Sequence, residues 1–155
     1  AWNIVLGNET DTLRNIERLK FNDKYIALDL DGNAGDTVKL LGLLLGKDQA
    51  TNKTYVGAGL KLLDDGMTYE QLMGAALDVV LGANASSLSV VELIWNNLIG
   101  PPTPADNISQ YSALIDNGAY TSAGLAIVAA NHDLNATNID LVGLAQTGVE
   151  YTLYG

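Results

Sequence analysis

Asp29, Asp31, Asn33 and Asp36 place four oxygen-bearing side chains within eight residues, interleaved with Gly32 and Gly35. Carboxylates crowded in this way repel one another unless a cation lies among them. A hard divalent ion such as Ca2+ prefers about six to eight oxygen ligands, and glycines let a backbone fold around it. The segment is not an EF-hand, because Ala34 stands where that loop needs glycine and Leu40 where it needs glutamate. The same four residues also suit a solvated turn with Asp36 as N-cap of a following helix. Asn8, Glu9 and Asp11 form a second, smaller acidic turn with the same two readings.

Other chemistry is sparsely represented. The single histidine, His132, sits beside Asp133 in a polar stretch and reads as a surface residue. No serine lies in a G-x-S-x-G elbow, no H-x-x-x-H pair exists, and cysteine is absent. Hydrolase and zinc readings therefore lack support, and thiolate ligands, cysteine nucleophiles and disulfides are removed together. The expectation is a protein that is not an enzyme. Asp64-Asp65 and Asp116-Asn117 each precede a glycine at a helix end, which is C-terminal turn chemistry. Five N-x-[ST] triplets, at Asn8, Asn52, Asn84, Asn107 and Asn135, read as turns and caps.

The elements that position these residues follow from periodicity. Residues 2 to 30 alternate with period two, as in Trp2, Ile4, Leu6 and again Ile26, Leu28, Leu30, so strands are expected near 2–6, 15–21 and 25–30. Beyond Asp36 the spacing turns helical. Leu40, Leu41, Leu44 and Leu45 form one stripe, ended by Gly46, and a helix from about Lys53 to Leu63 follows. Thr68 caps a helix running to about Leu81, and Ser86 or Ser87 caps the next. Gly100-Pro101-Pro102 stops that one, and further helices are expected over Ala105 to Asn117, after Thr121, and over Ile139 to Gln146. Asn131 to Asn138 reads as a polar break, and the tail from Val149 alternates as a strand does.

The helical part repeats. The stretch Val90 to Ala130 follows the plan of an earlier one, with Gly46 matching Gly100, Gly66 matching Gly118, and Thr68 matching Thr121. Trp95 then matches Leu41 and is expected to anchor the core. The fold class is mainly α with a small N-terminal β segment (α+β): residues 1–36 form strands and hinge, and 37–155 a duplicated helical unit packed as one body with them.

Composition narrows the partners. The net charge is −10, with 18 acidic and eight thinly spread basic residues. Such a chain is repelled by phosphate backbones, so no nucleic acid is expected. No apolar run approaches a membrane span. No basic region precedes an apolar run at the start, so no classical signal peptide is expected, and Ala1 already stands in an expected strand, as in a piece of a longer protein.

Two resemblances converge. Thr12-Leu13-Arg14-Asn15-Ile16-Glu17-Arg18-Leu19-Lys20-Phe21-Asn22-Asp23, followed by Ile26-Ala27-Leu28-Asp29, resembles the segment that ends the calcium-binding β-rolls of hemolysin-type (RTX) bacterial type I secretion substrates. Residues from about Thr37 to Tyr151 resemble the helical domain of unknown function that often follows it, through Leu93 to Gly100, Leu114 to Gly118 and Asn135 to Leu144. The G-G-x-G-x-D nonapeptides of the roll are not present here. The resemblance implies an extracellular or cell-surface, non-catalytic C-terminal module that caps a β-roll or adhesin-like array and aids export or surface assembly. Its partners would be upstream domains of the same protein. The alternative is an accessory module that binds a cell-surface glycan or protein.

Overall fold

The computed structural model describes residues 2–155. Four short strands come first: β1 (Trp2–Leu6), β2 (Glu9–Leu13), β3 (Arg18–Lys20) and β4 (Tyr25–Ala27). Eight helices follow: α1 (Asn33–Leu45), α2 (Lys53–Asp64), α3 (Tyr69–Leu81), α4 (Ser87–Leu98), α5 (Ala105–Asp116), α6 (Ser122–Ala130), α7 (Asp133–Asn138) and α8 (Leu141–Thr147). A final strand, β5 (Val149–Tyr151), closes the order. The chain is thus mainly helical with a few short antiparallel strands, as the periodicity implied.

β1 and β2 form a two-stranded hairpin with Leu6 opposite Glu9, turned by Gly7 and Asn8. Gly7 has φ of 63°, the left-handed value that the first position of a type II′ turn requires. β3, β4 and β5 form a separate three-stranded sheet, so the tail returns to the N-terminal segment. Sequence periodicity misses β2. Its Thr10 and Thr12 alternate with Glu9 and Asp11, so both faces are polar and no apolar period marks it.

α1 is the hub. Nine of its thirteen residues are buried, which fits a helix apolar nearly all round rather than along one stripe. α2, α3, α4, α6 and α7 all pack on it. Its start also differs from the sequence expectation. Gly32, not Asp36, is the N-cap, and Asp29 supplies the missing acceptor by taking the Ala34 N–H on Oδ2 at 3.3 Å. Gly35 lets the Leu30 carbonyl lie against the first turn where a Cβ would collide with it.

The helical repeat is visible in element order and in caps. α1, α2 and α3 correspond to α4, α5 and α6, beginning at Asn33, Lys53, Tyr69 and at Ser87, Ala105, Ser122. Thr68 Oγ1 accepts the Gln71 N–H at 3.1 Å, and Thr121 Oγ1 accepts the Gly124 N–H at 2.9 Å. Both middle helices end before a glycine of positive φ, Gly66 at 105° and Gly118 at 80°. The copies meet along α1 and α4, where Asn97 Nδ2 donates to the Leu43 carbonyl at 2.7 Å.

The polar break expected at Asn131 to Asn138 is instead α7. His132 caps it, with Nδ1 accepting the Leu134 N–H at 3.0 Å. Asn135 is buried, and its amide donates to the Ala130 and Lys39 carbonyls at 2.9 and 3.1 Å. Polarity here serves to bind helix ends together, so hydropathy alone misreads it.

Candidate functional site

The structure spreads the proposed calcium ligands rather than gathering them. Arg18 faces Ala27 across β3 and β4, a register that brings its guanidinium to the strand-to-helix hinge. Nη1 pairs with Asp29 Oδ1, while Nη2 donates to both oxygens of Asp64 at 2.9 and 3.1 Å. Asn33 Nδ2 donates to the same Asp64 at 2.8 Å. Asp36 lies 3.3 Å from Lys39 Nζ, and Asp31 is exposed. Among the described residues no three His, Cys, Asp or Glu side chains assemble a group that holds a metal ion.

Asp29 and Asn33 are instead engaged with Arg18 and Asp64, and Asp36 with Lys39. The positive charge beside Asp29 is Arg18, and that beside Asp36 is Lys39. Sequence reasoning missed Arg18 because it is eleven residues from Asp29, and only the β3–β4 register joins them. The same cluster lies beside Tyr151, whose phenol is raised by burial, with Arg18 opposing and Asp64 and Asp29 adding to the rise.

A different site emerges from the repeat. Val91, Ile94, Trp95, Leu98 and Ile99 of α4 and its end form the floor of an apolar groove of about 270 Å3. Tyr111 of α5, Leu125 and Val128 of α6, and His132 and Leu134 at the start of α7 wall it in. Trp95 and Tyr111 rings stand 6.2 Å apart at 43°. Trp95 is only half buried, so it is a groove residue rather than the core anchor its match to Leu41 suggested. The equivalent Leu41 is buried.

The first copy carries the equivalent groove, about 280 Å3, floored by Thr37, Leu40, Leu41, Leu44 and Leu45. Each of these five stands 54 positions before its counterpart in α4. What differs is the lining. Where Tyr111 reaches Trp95, the first copy has Gly59, and a Cβ there would stand 2.7 Å from Thr37 Cγ2. α2 thus lies close against α1, and the first groove has Tyr55 as its one aromatic lining residue where the second pairs Trp95 with Tyr111. The signal was present in the repeat: Trp95 and Tyr111 replace Leu41 and Gly59 at matched positions.

No family model, curated protein or solved structure matches this chain. No helix among the described residues is long and apolar enough to cross a membrane.

Proposed function

We propose that the chain is a non-catalytic C-terminal module of a secreted or cell-surface bacterial protein, where it caps a β-roll or adhesin-like array and aids export or surface assembly. The observation that supports this reading is the β1–β2 hairpin. It pairs with no other strand, so each of its strands keeps one open edge among the described residues. An isolated two-stranded hairpin is marginal in water, and an open edge is a template for another strand. Val5 is 65% exposed on it. A preceding strand of the same polypeptide would complete that sheet, while Arg18 ties the next strand, β3, to the helical body through Asp29 and Asp64.

The experiment is export of the parent polypeptide with and without this module. Deletion is expected to lower the amount reaching the medium or surface severalfold; unchanged export rejects the reading. A finer test uses the turn. Next to a two-residue loop Leu6 and Glu9 are a bonded pair, so Val5 and Thr10 are a non-bonded pair and the Val5 N–H faces the open edge. Val5→Pro removes that donor without removing a hairpin bond. It should reduce assembly in the parent and leave the helical body unchanged.

A further inference from the structure

We propose that the groove of the second helical copy docks a cationic amphipathic helix of a partner protein, received apolar face down. Three observations converge on this occupant, none of which depends on the capping role. The first is size. At about 270 Å3 the groove falls just below the roughly 300–1,000 Å3 usual for enclosing a whole small molecule, so it suits protruding anchor side chains. Anchors spaced along one helical face enter such grooves.

The second is composition. Trp95 and Tyr111 form the aromatic part of the lining, and aromatic side chains of this kind concentrate binding energy at protein interfaces. Ile99 is 54% exposed and Val128 52%, so the rim itself is apolar.

The third is charge, and it selects the partner. All eight basic residues lie at or before Lys61, and the ten acidic residues after it account for the whole net charge of −10. The second copy therefore has no cation of its own. Glu92 adjoins Val91 on the floor, and Asp133 lies between His132 and Leu134 on the wall. Lys39 of α1 reaches this side, but its Nζ is held by Asp36 and Asn131. Glu92 and Asp133 thus leave the surroundings net acidic, a setting that attracts a basic amphipathic segment and repels an acidic one. The first copy carries Lys39, Lys47, Lys53 and Lys61, so its charge is mixed rather than of one sign.

The test uses the intact chain in a Trp2→Phe background, which leaves Trp95 as the sole tryptophan. The probes are two peptides of about fourteen residues with leucines at helical spacing, one completed with lysine and one with glutamate. The expected result is a saturable change in Trp95 emission with the lysine peptide only, weakening as salt screens the rim. Val128→Lys and Ile99→Lys, at exposed positions, should each weaken binding about tenfold or more by charge repulsion and lost contact. Val79→Lys, at an 85% exposed position lining the first groove, should leave it unchanged. Equal binding of both peptides, no binding, or insensitivity to both rim lysines overturns the proposal. So does concentration-dependent dimerisation abolished by Val128→Lys, which would make a second copy the occupant, or an emission change with neutral oligosaccharide alone.

Discussion

The two helical triplets share one plan, each with an apolar groove of similar size. They diverge in how closely their helices approach and in what else packs on them. In the first, Gly57 and Gly59 let α2 press against the tail and α1, and buried leucines fill the space between. In the second, Ser109 and Tyr111 occupy the equivalent places, and Tyr111 puts an aromatic ring into the groove wall beside Trp95. The first triplet is also the one the rest of the molecule leans on. β5 reaches α2, where the Thr152 N–H donates to the Lys53 carbonyl at 3.1 Å, and α7 lies against α1, with Ile139 just beyond it over Gly42. Both triplets thus keep an apolar groove, while the first is also the one on which the tail packs.

Matched leucines give the largest test of that difference. Leu44 is 2% exposed in the first copy, and Leu98, its counterpart 54 positions later, is only partly buried and borders the groove. Removing a fully buried leucine costs the transfer of its methyl groups plus the cavity left behind. Leu44→Ala is expected to destabilise by about 3–4 kcal/mol, and Leu98→Ala by roughly 1–2 kcal/mol, in chemical denaturation at unchanged m. Equal losses would mean that both triplets are equally core, and the asymmetry would fail.

Much of this architecture was legible before any coordinates, and the parts that were not share a cause. Thr68, Ser86 and Thr121 announce their helices because a cap is a local event, decided within four residues. The Gly66 and Gly118 stops are local in the same sense. Arg18 with Asp29 and Asp64, Asn135 with Lys39, and Tyr111 with Trp95 are decided by register and packing across long stretches of chain. The acidic loop could be seen in sequence; the guanidinium that answers it could not. Trp95 was misread for a related reason: helical spacing places it on an apolar face, but only its neighbours decide whether that face is closed.

Matched small residues sharpen the comparison at a smaller scale. Alanine normally favours a helix interior over glycine by up to ~1 kcal/mol. At Gly57 a new Cβ would collide with the Thr152 carbonyl, and backbone does not yield as a flexible side chain does. Gly57→Ala should therefore destabilise by about 1–3 kcal/mol despite its helix propensity, with faster hydrogen exchange at β5. Ser109→Ala, exposed at the equivalent place in α5, should be neutral or gain a few tenths of a kcal/mol. If Gly57→Ala stabilises instead, the tail does not pack on α2 and that difference between the copies fails.

The smallest effect separates the copies by pH. Tyr69 is the first residue of α3, where α6 has Ser122. Its hydroxyl is buried without a hydrogen-bond partner, and burial, reinforced by the Asp36 charge, raises the phenol above its ordinary 10.0. The unfolded chain therefore gives up this proton at lower pH than the folded one. The resulting stability is fully present below the ordinary value and is lost as pH rises from there toward the folded-state value. Tyr69→Phe removes both the unsatisfied hydroxyl and that titration. It is expected to gain about 1 kcal/mol at neutral pH and to flatten the loss of stability above about pH 10. Tyr151, also raised by burial, should retain a residual slope that a second substitution, Tyr151→Phe, removes. A variant less stable at neutral pH, with its alkaline slope intact, would show that the hydroxyl has a partner in solution. The cost of burial in the first copy would then not lie at Tyr69.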